Sequence, residues 1–360
     1  MKPSKLAALI ALAIVAAACG GDEPAASTTT TVATTTTTTV AGTTTVPETT
    51  TTVAAGPASL LNGLPVAEET LLDRRVVAVK IDNHPDARPQ SGVQDTEAVI
   101  ELIVEAGLTR FIALYHTTDS DYIGPVRSVR PTDPGLLKPL GATFQFSGGQ
   151  PWIQSLVSGA EIPSLSESAE STWRIARNGR AYERTLFSSS ELVREAADTR
   201  EYPDDPPAGP WFTFGDPATD EPAPGAEAAG TVSLDWSGNW SPVNWVWDGE
   251  RYLRFNGDVE HGWVGEDGVG EQIATDTLLV LVADQYQACG SSGSCVPAET
   301  TTGEGTALLF HAGNVVEGTW QRDEIDEMFT LDTADGDEMV VPAGHLWLSV
   351  FPSDRTVTWE

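Results

Sequence analysis

The densest run of chemically capable side chains in this 360-residue sequence is Val79-Lys80-Ile81-Asp82-Asn83-His84-Pro85-Asp86-Ala87-Arg88-Pro89-Gln90-Ser91-Gly92. Asp82 can act as a base or orient His84, Arg88 can clamp a carboxylate or phosphate with two parallel hydrogen bonds, and Asn83 and Gln90 can add amide contacts. The same residues read equally well as a built turn. Asp and Asn fold their side chains back onto the backbone, Pro85 and Pro89 stiffen a loop, and Arg88 has Asp86 or Asp95 to pair with. No second acidic or nucleophilic residue stands at an offset that defines a reaction, so the run supports binding better than catalysis.

A second motif, Ile123-Gly124-Pro125-Val126-Arg127-Ser128-Val129-Arg130-Pro131, sets two guanidinium groups three residues apart in a loop bounded by Gly and Pro, where both can grip one anion. Alternatively they pair with Asp119, Asp121 or Asp133 and fix the loop. Ser147-Gly148-Gly149 before a helix can form a backbone nest for an anion. Arg110 joins this candidate binding set. Asp332, Asp335, Asp337 and Glu338 match a calcium loop in composition but not in spacing, which leaves a hairpin turn. Trp236 and Trp240 can stack on sugar rings, although most Trp of a β-rich domain belong in its core. The sequence has no P-loop lysine, no G-x-S-x-G and no H-E-x-x-H, so no catalytic residue, metal or cofactor is assigned.

These motifs need elements to hold them. Residues 75–81 form a short β-branched run that ends in a turn at Asp82. Val99, Leu102, Ile103 and Ala106 recur at helical spacing, with Glu97, Glu101 and Glu105 on another face, which predicts an amphipathic helix over 96–106 stopped by Gly107. A strand over 110–115 then gives a β-α-β order with a right-handed crossover. A third strand is expected over 142–146, a helix over 152–157 with Pro151 near its first turn, and a Ser188/Glu191 capping box before a helix that runs through Ala197. Later, residues 243–247 and 251–255 read as a hairpin turning at Asp248-Gly249. Further strands are expected over 278–283, 307–311, 328–331, 339–341, 346–351 and 356–359. The fold class is therefore α+β: a mixed α/β N-terminal domain at 59–205, a Pro/Gly/Asp-rich connector at 206–230, and a β-rich C-terminal domain at 231–360.

The segment before the folded part sets the compartment. Lys2 and Lys5, an apolar run from Leu6 to Ala18 and then Cys19 match a lipoprotein signal peptide over 1–18, with Cys19 as the lipid-attachment site. Residues 19–58 follow as a Thr-rich linker, with 17 Thr between Thr28 and Thr52 and little to bury. The expected location is the extracytoplasmic face of the cell membrane. Cys289 and Cys295, six residues apart in an exported chain, are expected to form a local disulfide. The formal net charge of −32 repels phosphate backbones and excludes nucleic acid as a partner, while 12 of the 16 arginines lie between Arg74 and Arg200.

The lipid-attachment cysteine, the run from Val79, Val104-Glu105-Ala106-Gly107-Leu108-Thr109-Arg110-Phe111, the run from Ile123 and Phe146-Ser147-Gly148-Gly149 together resemble the YerB-like lipoproteins, a domain-of-unknown-function family. In the second half Tyr252-Leu253-Arg254, Gly270-Glu271-Gln272, Gly303-Glu304-Gly305 and Gly318-Thr319-Trp320 extend the likeness to the family's C-terminal module. One run departs: where relatives carry a Pro-His-Asn-Leu-Tyr-like stretch, this chain has Tyr182-Glu183-Arg184-Thr185-Leu186-Phe187, so any role of that histidine is absent. The resemblance implies a two-domain surface lipoprotein of no established activity. The expected function is a non-enzymatic binding protein with an Arg-lined anion site, whose partners are the membrane through its lipid and peptidoglycan or an envelope protein. The alternatives are a cell-wall hydrolase using Asp82 and His84 and an acidic scaffold for envelope proteins.

Overall fold

A computed structural model describes residues 56–215 and 225–360. The signal segment, Cys19 and the Thr-rich linker as far as residue 55 lie outside the described residues, as do residues 216–224 of the connector.

Five strands of the N-terminal half lie in its main sheet: β1 (Val77–Asp82), β2 (Ala98–Ile103), β3 (Thr109–Tyr115), β4 (Thr143–Gln145) and β5 (Ser164–Leu165). Three α-helices accompany them: α1 (Asp133–Leu137), α2 (Pro151–Gly159) and α3 (Ser190–Thr199). β1 lies between antiparallel β3 and parallel β4. β2 runs antiparallel to β3 on one side and parallel to the strand Leu346–Pro352 on the other, with Ala98 opposite Leu346 and Leu102 opposite Val350. Through that seam the N-terminal strands continue into Thr277–Ala283, Gly303–His311, Asn314–Arg322 and Thr330–Thr333, so both halves share one 11-stranded sheet. A second, six-stranded sheet contains Thr231–Asp235, Val243–Trp247, Tyr252–Asn256 and Thr356–Trp359. The class is α+β, with an α/β N-terminal domain and a strand-rich C-terminal region.

Side-chain alternation along the strands divides the core into two layers. Ala78, Ile100, Leu114 and Phe144 face the side covered by Leu136 and Leu137 of α1 and by Ile153 and Val157 of α2. Val77, Val79, Val99 and Phe111 face the other side, against Val232, Trp245 and Tyr252 of the second sheet and Val193 of α3. Trp211 and Phe212, inside the stretch expected to be a connector, are buried in the first layer, so that part of it packs into the core.

The helix expected over 96–106 is instead β2, joined to β3 by a tight antiparallel turn rather than a crossover. β2 is central and buried on both faces, so its apolar residues run together without alternation, and a continuous apolar run reads alike in a helix and in a buried strand. Gly107 marks the turn: its φ is +71°, and a Cβ there would sit 2.4 Å from Ser237 Cβ. The helix α3 is capped one residue later than the expected box, because Ser189 rather than Ser188 accepts the Leu192 amide. The Trp247–Tyr252 turn holds four residues, not two, since Asp248 Oδ1 accepts from the amides of both Glu250 and Arg251. Residues 339–341 form no strand; Val341 makes only a lone bridge to Phe214. Cys289 and Cys295 oppose one another across a two-stranded ribbon and are bonded, with S–S 2.05 Å. No helix among the described residues is long and apolar enough to cross a membrane.

Candidate functional site

Asp82 closes β1, and its register partner on β3 is Arg110, so the pairing sets a carboxylate beside a guanidinium at one end of the sheet. The loop after Ile123 then hydrogen-bonds back onto the same edge, with the Asp82 amide on the Pro125 carbonyl and the Arg127 amide on the Lys80 carbonyl. Arg127 Nε thereby comes 3.2 Å from Asp82 Oδ2, and Arg184 Nε approaches the same oxygen at 3.6 Å. Both are ion-pair contacts off the hydrogen-bond axis, since neither nitrogen nor Asp82 Oδ2 has a hydrogen-bond partner. Arg184 also reaches Asp86, at 3.3 Å. Arg130 Nε bonds Glu105 at 2.6 Å, and Arg110 Nη1 bonds the Ser128 carbonyl at 2.7 Å. The result is four guanidinium groups, from Arg110, Arg127, Arg130 and Arg184, against the carboxylates of Asp82, Glu105 and Asp86.

Electrostatics follow from this crowding. Burial, then the charge of Arg130, pushes the Arg110 guanidinium down to about 9, with Asp82 opposing the shift. Arg110 Nε is buried without a partner. At Glu105 burial acts upward, but the hydrogen bond and charge of Arg130 together outweigh it and hold the carboxyl below its ordinary range. Beneath the cluster, Lys80 and Asp133 form a fully buried pair at 2.7 Å. Ser147 gives its amide to the Arg127 carbonyl, and the Gly148 carbonyl accepts the Val129 amide. A Cβ on Gly149 would lie 2.7 Å from Val129 Cγ1, so this Ser-Gly-Gly segment joins the arginine loop closely to the start of α2.

The remaining residues of the first motif turn the other way. Arg88 pairs with neither Asp86 nor Asp95: its Nε donates to Asn83 Oδ1 and its Nη2 to the Asn83 carbonyl, both at 3.1 Å. Likewise the guanidinium groups of Arg127 and Arg130 take Asp82 and Glu105 as partners; Asp119 pairs with Arg74 and Arg194, and Asp133 pairs with Lys80 and accepts the Arg130 backbone amide. Asn83 donates to Thr109 Oγ1, and Gln90 Nε2 donates to Asn83 Oδ1 at 2.9 Å. Gln90 Oε1 lies 2.7 Å from His261 Nε2, and His261 Nδ1 meets Arg254, which pairs with Glu101 at 2.7 Å. This chain of contacts connects a cleft of about 470 Å³, lined by Arg88 and Trp240, to an ion pair with both side chains fully buried. Burial and the charges of Arg254 and Arg88 hold the His261 imidazole well below its ordinary range, so it is neutral.

Asp82 and His84 do not form an acid/base pair in this geometry. Asp82 Oδ1 accepts the backbone amide of His84, whereas the imidazole Nδ1 accepts the amide of Asp86. Sequence reading missed Arg184, His261 and Arg254 as members of these networks. Arg184 falls in the run that departs from the family pattern, and that departure was the available signal. Arg254 stands in the Tyr252-Leu253-Arg254 run that carries the family likeness, but nothing local ties it to Glu101, 153 residues away, or His261 to Gln90, 171 residues away.

Two family models match the chain: one described as "Protein of unknown function (DUF3048) N-terminal domain" over residues 61–203, and one described as "Protein of unknown function (DUF3048) C-terminal domain" over residues 232–348. A Bacillus subtilis (strain 168) protein named "Putative lipoprotein YerB" is 26% identical over 297 residues, which cover 81% of this chain and 85% of that protein. The crystal structure of the YerB protein from Bacillus subtilis matches with a TM-score of 0.70 at 24% identity, over 84% of this chain and 99% of that one, and so shares its fold.

Proposed function

The chain belongs to the DUF3048 family, and from that premise we propose that it is a lipoprotein of the cell envelope, held at the extracytoplasmic face by lipid on Cys19, whose folded unit binds a carboxylate-bearing ligand without catalysing a reaction. The name of its Bacillus subtilis relative and the basic, apolar and cysteine pattern of residues 1–19 support the anchor. The observation that carries the binding reading is the arginine cluster. Arg110, Arg127, Arg130 and Arg184 outnumber the carboxylates they face, and while the buried Nε of Arg127 faces Asp82, the terminal nitrogens of its guanidinium make no hydrogen bond to another of the described residues, so an incoming carboxylate can bond there. Arg127 and Ser128 are only half buried, which gives such a ligand access.

Isothermal titration with soluble muropeptides, whose stem peptides end in carboxylates, tests this. Binding is expected in the wild type, and Arg127→Ala with Arg130→Ala should weaken it at least tenfold, about the worth of one lost charge-assisted hydrogen bond. Absence of binding in the wild type, or equal binding by the double variant, ends the reading. Incubation with peptidoglycan that releases fragments, and ceases to do so in His84→Ala, would replace it with the hydrolase.

A further inference from the structure

The cleft beside the arginine cluster has a different chemistry. One wall is Trp240, whose indole Nε1 donates to the Ala106 carbonyl at 2.9 Å while the side chain stays 44% exposed, so the ring is held in place with a face open to solvent. The His84 ring stands edge-on to it, with centroids 6.4 Å apart. Arg88 lies on another side; two of its nitrogens are committed to Asn83, and Nη1 has no bond to another residue among the described ones. Asn256, Glu260 and Ser241 supply amide, carboxylate and hydroxyl groups around the opening. An immobilised aromatic face, one positioned cation and a ring of polar groups fit a molecule that is apolar on one face, rich in hydroxyls at its edge and singly anionic.

We propose that this cleft binds a carboxylate-bearing pyranose, with its apolar face against Trp240 and its carboxylate on Arg88. Burial, then the charge of Arg254, brings the Arg88 guanidinium down to about 10, and it stays cationic at neutral pH. The hydrogen bonds through Asn83, Gln90 and His261 to the buried Glu101–Arg254 pair fix that guanidinium before any ligand arrives, which lowers the ordering cost of binding. The proposal goes beyond the arginine-cluster reading and uses none of its four arginines.

The full chain is titrated with glucuronate, N-acetylmuramic acid and neutral N-acetylglucosamine, followed by saturation-transfer NMR and calorimetry. At least one acid should bind at least tenfold tighter than the neutral sugar, as expected for a charge-assisted hydrogen bond. Tighter glucuronate places the carboxylate on the ring itself, and tighter N-acetylmuramic acid places it on an ether arm; both support the site. Trp240→Ala should weaken acid binding about tenfold and Trp240→Phe should restore most of it, while Arg88→Gln should abolish the preference for acid over neutral sugar. The Arg127→Ala and Arg130→Ala chain should keep this binding, which separates failure here from failure of the arginine-cluster reading. Equal binding of acids and neutral sugar, no binding of any of the three at millimolar concentration, or an unchanged affinity in a folded Trp240→Ala chain would overturn the proposal.

Discussion

The Glu101–Arg254 pair offers the sharpest test of how the two sheets are held together. Glu101 stands on β2 and Arg254 on the Tyr252–Asn256 strand of the second sheet; their N···O separation is 2.7 Å and neither side chain touches solvent. Glu101 also accepts from Thr109 Oγ1 at 2.6 Å and from Trp347 Nε1 at 3.0 Å. The Arg254 guanidinium lies 5.3, 5.7 and 5.4 Å from the ring centres of Phe111, Trp245 and Trp347. Burial pulls its pKa down, and the charge and hydrogen bond of Glu101 offset part of that shift. Glu101→Ala removes the only carboxylate among the described residues bonded to this guanidinium and strands two donors, so it should cost about 3–5 kcal/mol for the uncompensated charge and about 1 kcal/mol more for each stranded donor. Against a typical total stability of about 5–15 kcal/mol that is a large fraction. Replacing both partners, Glu101→Leu with Arg254→Met, should recover most of the loss, because a well-packed apolar pair is often as stable as a buried ion pair. Urea unfolding followed by tryptophan fluorescence and far-UV circular dichroism gives both numbers. If Glu101→Ala loses less than about 1 kcal/mol, or the double variant is no more stable than the single one, the pair does not carry the charge balance argued for it.

Three further outcomes follow from the same structure. Burial, opposed by a hydrogen bond from Thr132 and the charge of Lys80, raises the Glu299 carboxyl to about 8, so it is protonated in the fold and ionised in the unfolded chain at neutral pH. Its contribution is complete below the unfolded value of about 4.5 and is lost as pH rises through about 8; Glu299→Gln should flatten the decline in unfolding free energy between about pH 5 and 8, and an unaltered pH profile would count against the assignment. Reduction of Cys289–Cys295 opens a loop of only six residues' separation, worth roughly 2 kcal/mol in the chain-entropy model, so the thermal midpoint should fall by a few degrees and the folded state should survive. Ser189→Ala removes the side-chain acceptor for the Leu192 amide and should cost about 1 kcal/mol of stability, whereas Ser188→Ala loses instead a buried hydrogen bond to the Ser171 carbonyl; hydrogen exchange confined to the first turn of α3 would tell the two apart.

Sequence alone determined the elements whose signals are local. The β-branched run of β1, the strand β3, the hairpin around Asp248, the proline-initiated α2 and the Cys289–Cys295 bridge are legible because dihedral preference, turn chemistry and short loop closure act over a few residues. Tertiary structure decided β2, and with it the seam that makes one sheet of two halves. Residues 97–105 carry glutamates at helical spacing, and a glutamate in a central strand is tolerable only if a cation reaches it; Arg254 does so from 153 residues further along the chain. Trp236 extends the inward alternation of Val232 and Leu234 and is 4% exposed, whereas Trp240, in the turn after it, is 44% exposed; that both then line one cleft is decided only by the fold. Backbone preference is a property of adjacent residues, whereas burial and charge compensation belong to whatever the folded chain brings alongside.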